Sequence, residues 1–342
     1  MYINKLNLQN FKSYINQDFE FKNITLLTGL NGAGKSSVFQ SIRMMWNYLK
    51  NKDAILSSYG TVDTLKNINS KDDFLKIYMS IEENSISLTF KTNQEHMLED
   101  NQLNIDNLNM SYISANRLGP TEFQYIRNST TDSFNVGIQG EYTLDILAKN
   151  DRETLPDSFK EANNLNTLKY HVERWLHEIS PNIKIETELN KRMNVASFTT
   201  EDGFTPLNIG FGVSYTLSII VQLLYSVILL DKKGINSVVL IENPEAHLHP
   251  KGQTKIAEFI AKVSAFGVQV IIETHSDYIL DGLRLSVKDG KISHEDTKLY
   301  YLELDDEGNT QVKSPQIDSK GLLDEWPENF FDTSFNNKMK LI

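Results

Sequence analysis

The sequence contains no cysteine. That removes disulfide staples, thiolate metal sites and cysteine nucleophiles together. Its start, MYINKLNLQNFKSY, lacks the basic-then-apolar leader of a secretory signal, so the expected compartment is the cytosol. No internal repeat or low-complexity block is visible, and no sustained heptads run through the middle, which excludes a long coiled-coil arm. Positive charge is also short. Lys and Arg number 34 against 45 Asp and Glu, a net −11. A general nucleic-acid cloak is thereby excluded, and any polyanion has to meet a local patch. What is present is 342 residues, 40% hydrophobic and 23% charged. This is the composition of a folded protein with ample core, sized for one elaborated domain or two intimately joined ones.

Charge is unevenly placed. Residues 1–50 carry Lys5, Lys12, Lys22, Lys35, Arg43 and Lys50 against only Asp18 and Glu20. Residues 301–342 hold nine acids against four lysines. An anion site therefore belongs near the N-terminus.

Hydrophobic spacing outlines the elements. Residues 2–9 alternate, and a second alternating run begins at Phe19 and Phe21; both read as strands. Ile24 to Thr28 is a short apolar strand running into Gly29, followed by a helix over Ser36–Leu49. Leu75–Lys91 reads as a hairpin turned at Glu83-Asn84, and Met110–Ala115 as a strand. From 120 to 160 the polar sequence gives no pattern. A helix is expected over Asn164–Ile179, stopped by Pro181, with strands near Ile183–Leu189 and Val195–Thr199. Residues 203–230 carry no charge. The helix expected there has polar residues every fourth position, Ser214, Ser218, Gln222 and Ser226, which favours a buried helix over a membrane span. Then come a strand at Ser237–Ile241, a helix from Pro250 to about Ala265, and strands at Val268–Glu273 and Lys298–Glu303.

The spacing between Gly29 and Ser36, GLNGAGKS, fits G-x-x-x-x-G-K-[ST] and sits between a strand and a helix, as a phosphate-binding loop requires. Glycines let the backbone wind so that successive N–H groups point at phosphate oxygens, and the helix N-terminus adds its dipole. Lys35 can reach the β- and γ-phosphates and Ser36 can take a place on Mg²⁺. Asn31, Gly32, Ala33, Gly34, Lys35, Ser36 and Ser37 form the candidate nucleotide-binding set, with ATP and Mg²⁺ as the implied cofactors.

Ser237 to Glu242 is an apolar strand ending in an acid, the shape of a Walker B element, with Glu242 the second candidate for Mg²⁺. After a helix the pattern repeats, VIIETHS at 270–276, so both strand exits are expected on the same carboxyl edge of a sheet, where α/β proteins bind ligands.

The opening from Leu6 to Tyr14, TGLNGAGKSS at 28–37, the box IENPEAHLHP at 241–250 and ETHS at 273–276 together resemble ABC-type ATPases of the SMC/RecF/OLD superfamily. More narrowly, they resemble bacterial AAA ATPases with the same box, and the likeness extends to SANRLGP at 114–120, Gly140-Glu141-Tyr142 and WPENFFD at 326–332. The resemblance implies an α/β P-loop NTPase fold, an ABC-type ATPase head. Its Walker A half would be 1–50, its signature and Walker B half 205–305, with a mixed α+β insertion at 51–204 and an acidic extension at 306–342. It further implies that Lys12 and Ser13 border the phosphates and that His275 is a switch histidine sensing the γ-phosphate. Gly210, Gly212 and Ser214 would form a signature turn that meets the nucleotide of a partner subunit, although Phe211 stands about where a signature serine is expected. Gln40 is too close to Lys35 for the usual Q-loop.

One departure matters most. The usual acid pair is Glu242-Asn243 here, and an amide cannot accept a proton from the attacking water. General-base assistance is worth about 10²–10⁴-fold, so slow hydrolysis is expected. Glu245 is the candidate substitute. Together Glu242, Asn243, Glu245 and His275 are the candidate catalytic residues. His247-Leu248-His249 has no evident third ligand and reads as a D-loop-like turn. No Toprim nuclease unit is recognisable.

Two function classes follow. In the first, an ATP-dependent homodimer or higher oligomer holds or releases a separately encoded effector, a nuclease or toxin, in bacterial antiviral defence. In the second, the dimer is a RecF-like clamp on DNA, against which the negative charge counts. No membrane association is expected.

Overall fold

The structure, a computed structural model, describes residues 1–331 apart from 57–59, 92–96, 101–102, 104, 128–133, 161–164, 181–183, 191, 209 and 328–329. Asn164, Pro181, Ile183, Ile209 and positions 328, 329 and 332 of the aromatic C-terminal motif lie outside the described residues. The chain forms two compact units: Met1–Asn107 with His294–Asp318 and Leu322–Ile342, and Leu108–Ser293 with Ser319–Gly321.

The first unit contains β1 (Ile3–Phe11), β2 (Tyr14–Glu20), β3 (Ile24–Gly29), α1 (Lys35–Asn51), α2 (Val62–Leu65), β4 (Phe74–Ile81), β5 (Asn84–Lys91) and β6 (Met97–Asp100), then β13 (Thr297–Leu304) and β14 (Thr310–Lys313). The alternating runs become an antiparallel sheet in the order β2-β1-β4-β5-β6. Leu75, Ile77, Met79 and Ile81 of β4 point to one buried face, as period-two spacing dictates. β3, in which Ile24, Leu26 and Leu27 supply the apolar side chains, is buried along nearly its whole length. It pairs in parallel with β13, Leu26 opposite Leu299, and β14 runs antiparallel to β13.

The second unit contains β7 (Leu108–Ile113), β8 (Gln124–Tyr125), α3 (Thr143–Asn150), α4 (Leu168–Ile179), β9 (Ile185–Asn190), β10 (Val195–Thr200), α5 (Phe211–Lys233), β11 (Asn236–Glu242), α6 (Pro250–Phe266), β12 (Gln269–Glu273) and α7 (Asp277–Lys288). β11 lies between β12 and β7, parallel to both, so its apolar run is a buried central strand. A small antiparallel sheet follows the order β8-β10-β9. α5 is long and apolar enough to cross a membrane by composition alone, yet 83% of its most apolar window is buried inside the protein. Of its polar stripe Ser214 is half-buried and Ser218, Gln222 and Ser226 are buried, with Gln222 bonded to neighbouring chain. Gln222 accepts the Val136 N–H at 2.8 Å and donates to the Phe134 carbonyl at 3.1 Å.

These units are cut differently from the division expected in the sequence. Residues 51–204 are not one insertion: β4 hydrogen-bonds β1 of the first unit, while β7 pairs with β11 of the second. Within the acidic extension expected at 306–342, β14 hydrogen-bonds β13. Long-range backbone pairing, invisible to local periodicity, sets both boundaries.

Candidate functional site

Each unit carries its own share of the expected site residues. In the first, β3 ends at Gly29 and the chain wraps through Gly32 (φ 78°) and Gly34 (φ 99°) before α1 begins at Lys35. A side chain at Gly34 would be strained twice. Its backbone is left-handed, and a Cβ would stand 2.7 Å from the Thr310 hydroxyl and 2.8 Å from the Tyr14 hydroxyl. Tyr14 uses that closeness to donate to the Gly34 carbonyl at 2.9 Å. The Thr310 hydroxyl bridges the Ala33 carbonyl (3.0 Å) and the Ser13 hydroxyl (2.6 Å), and its N–H reaches the Ser13 carbonyl (2.8 Å). β14 thus braces the loop.

Lys35 is almost fully buried, and its ammonium donates to the Gly29 carbonyl at 2.9 Å and the Leu30 carbonyl at 2.7 Å. Asn31, Gly32 and Ser36 are exposed at the loop rim, whereas Ala33, Gly34 and Ser37 are buried. Space for a Cβ at Gly32 is open to 4 Å, and no side chain caps the first turn of α1. An open rim, uncapped helix N–H groups and a lysine folded over the loop mouth fit a polyphosphate. Lys12 is half-buried at φ 51°, its N–H bonded to the Leu65 carbonyl at 2.7 Å, and burial lowers its ammonium pKa.

In the second unit the strand exits stand side by side, Glu242 of β11 paired in register with Glu273 of β12. Both Glu242 carboxylate oxygens are engaged: Tyr112 donates its hydroxyl at 2.9 Å and Ala115 its N–H at 2.9 Å. Asn243 turns the chain at φ 44°, a left-handed value that asparagine tolerates better than most residues. Its N–H bonds the Glu273 carbonyl, while its side-chain oxygen is buried without a hydrogen-bond partner. Glu245 reaches across to the β12 exit, accepting from the Thr274 hydroxyl at 2.8 Å and the His275 N–H at 2.9 Å. Burial raises its pKa, against the opposing pull of these bonds and of Arg117. Its carboxylate latches two strand exits together rather than lying open to a water. His275 itself is exposed at the start of the α7 turn, which Ser276 caps by accepting the Tyr278 and Ile279 N–H groups.

Gly210 is exposed and stands at the N-cap position of α5. Gly212 has a different reason to be small, because a Cβ would meet the His247 carbonyl at 2.7 Å. Ser214 is half-buried one turn further on. The expected histidine pair serves two separate ends. His247 leans on the rings of Phe211 (5.5 Å) and Tyr215 (4.8 Å), and His249 caps α6. Among the described residues no group of three or more His, Asp or Glu is placed to hold a metal. No role was read from the sequence for Tyr112 and Arg117, which hold the β11 exit in the second unit, or for Thr310, which braces the glycine loop in the first. The SANRLGP box pointed to Arg117, whereas Thr310 lies 277 residues from its loop partner and gave no local signal.

The sequence pattern of the family described as "AAA domain, putative AbiEii toxin, Type IV TA system" matches residues 24–281, and that of "Protein of unknown function (DUF3696)" matches 292–341. Among curated proteins the chain is 34% identical over 140 residues to the "DNA replication and repair protein RecF" of Francisella tularensis subsp. novicida, a match spanning 40% of this chain and 35% of that relative's length. An SMC head bound to the C-winged helix domain of ScpA superposes with a TM-score of 0.61 at 16% identity, over 93% of this chain and 98% of the other. An SMC head with a coiled coil and joint derived from Pyrococcus yayanosii gives 0.57 at 11% identity, over 92% and 97%. The fold is therefore the α/β P-loop NTPase fold of SMC heads.

Proposed function

The chain belongs to this AAA-domain family, and from that membership we propose that it is an ATP-binding, slowly hydrolysing ATPase whose nucleotide-gated pairing with a second copy controls a separately encoded effector. The effector is a nuclease or toxin, and the setting is defence against phage; the toxin–antitoxin wording of the family description supports that direction. One observation carries the reading. Lys35 folds over an open, glycine-wound loop whose helix N-terminus has no side-chain cap. When bound, Mg²⁺-ATP supplies the phosphoanhydride to be split. The loop amides of 31–37 and the Lys35 ammonium hold phosphate oxygens, and Ser36 and Glu242 are the residues assigned to the metal. His275 senses the γ-phosphate, and the Gly210–Ser214 corner receives the γ-phosphate of a partner copy. Asn243 cannot take a proton, and Glu245 is committed to Thr274 and His275, so turnover is slowed by about 10²–10⁴-fold.

The test is sizing by light scattering with and without ATP, beside Lys35→Ala. A dimer that forms only with ATP, and not in the variant, is the expected result; a mass indifferent to nucleotide sinks the switch. The RecF relatives favour a second reading, a clamp on DNA. A gel shift that weakens steeply with salt would support it.

A further inference from the structure

Arg117 stands between two parts of the second unit that the proposed reaction needs together. It is 3% exposed. One terminal nitrogen donates to the Ser114 carbonyl at 3.0 Å and the Glu242 carbonyl at 2.7 Å; the other donates to the Asn243 carbonyl at 2.7 Å. Its guanidinium lies 4.9 Å from the ring centre of Tyr215, in the first turns of α5. Burial lowers its pKa to about 10, with Tyr215, Glu245 and Glu242 pulling the other way, so it stays a cation at neutral pH.

The rest of the segment is seated equally firmly. Ser114 and Leu118 donate backbone N–H groups to Ile138 and Gln139, and Ala115 donates to the Glu242 carboxylate. At Gly119 an added Cβ would come within 2.5 Å of the Phe211 ring, so α5 begins directly against this backbone. Residues 114–119 are thus a slab. One face holds the main chain and carboxylate of the β11 exit, and the other face is covered by Phe211 and Tyr215. A planar cation suits this position because it bonds carbonyls in its plane and stacks an aromatic on its face, which an ammonium cannot do.

We propose that Arg117 is a positioning residue. By tying the Glu242 and Asn243 carbonyls to Tyr215, it fixes the Walker B acid relative to the Gly210–Ser214 corner. The proposal rests on the ATPase reading above. Losing the tie leaves two strand-exit carbonyls without their donor and frees Glu242 to shift, while the phosphate loop is untouched. A displacement near 1 Å at a reacting centre costs about 10²-fold in rate. The effect therefore belongs in kcat and not in nucleotide affinity.

The experiment measures single-turnover ATP hydrolysis and binding of a fluorescent ATP analogue by the full chain. Variants are Arg117→Lys, Tyr215→Leu and Tyr215→Phe, with Lys35→Ala as the reference for dead hydrolysis. The expected result is a fall in rate of about 10²-fold for Arg117→Lys and a lesser fall for Tyr215→Leu. Tyr215→Phe, which keeps the ring, should hydrolyse like the parent, and analogue affinity should stay within twofold in all three. A rate within threefold of the parent for a folded Arg117→Lys overturns the assignment, as does a loss confined to affinity. If Arg117→Lys does not fold, the Tyr215 pair decides: equal rates for Leu and Phe overturn it, and a slow Leu with a normal Phe sustains it. Parent protein with no Lys35-dependent hydrolysis would instead sink the ATPase reading itself.

Discussion

Giving position 243 a carboxylate tests the reason offered for slow turnover. The Asn243 side-chain oxygen is buried and has no donor, and the residue sits at φ 44°. Asn243→Asp places a carboxylate at that oxygen with little backbone cost, since aspartate also tolerates left-handed backbone. Asn243→Glu adds the reach of the acid that the superfamily resemblance implies, at a backbone cost of about 1–2 kcal/mol. Burial beside Glu242 raises the pKa of the new carboxylate, bringing it nearer the solution pH and making it a better base. The expected outcome is a rise in single-turnover hydrolysis toward the 10²–10⁴-fold that general-base assistance is worth (about 3–5 kcal/mol of barrier), larger for Glu than for Asp. Both variants should also unfold earlier in a thermal melt, because a buried carboxylate of raised pKa costs stability at neutral pH, and Glu by more than Asp because it adds backbone strain. Rapid-quench assays at saturating ATP read the rate, and calorimetry reads the melt. If the parent turns over many ATP per second, or if both variants bind ATP yet gain less than threefold, Asn243 is not what slows the reaction.

Three further outcomes are expected. Gly34→Ala forces a Cβ to within 2.8 Å of two hydroxyls at φ 99°; it should cost about 1–3 kcal/mol in urea unfolding and abolish ATP binding by calorimetry, and intact binding would refute the cradle. His171 is buried with its Nε2 2.9 Å from the side-chain amide oxygen of Asn166, and burial, then Arg174 and Lys262, lower its pKa to about 4. Its folded value lies below its unfolded one, so the stability from keeping it neutral is full above about pH 6.5 and lost as pH falls toward 4, about 3 kcal/mol in all; His171→Gln should flatten urea midpoints between pH 7 and 4.5, and parallel curves would refute this. Both amide atoms of Gln40, 1% exposed on α1, lack hydrogen-bond partners among the described residues, so Gln40→Leu should raise unfolding free energy by about 1–3 kcal/mol in urea unfolding, and a loss of stability would refute this.

Several elements were legible because local rules decide them. The strand at Ile24, the helix after Lys35, the hairpin over 74–91 and the strand ending at Glu242 all appear within a few residues of expectation. α7 was legible in principle, since Ile279, Leu280, Leu283 and Val287 give helical spacing and Ser276 an N-cap, although the sequence reading placed no helix there. α3 and β14 were missed for lack of any strong period. The role of Glu245 could not be read, because the direction of a side chain in a turn depends on the strand lying beside it. Gly212 was legible as small but not for its reason, which is the His247 carbonyl against its α-carbon.

The hydroxyl bridge from Thr310 to Ala33 has a consequence for how the protein is made. Translation at about 5–20 residues per second leaves the nascent glycine turn waiting roughly 15–55 s for a brace 277 residues downstream. During that interval the most basic stretch of the polypeptide is out of the ribosome with its anion cradle unbraced. A ribosome stalled before residue 310 would display a glycine turn without its hydroxyl bridge.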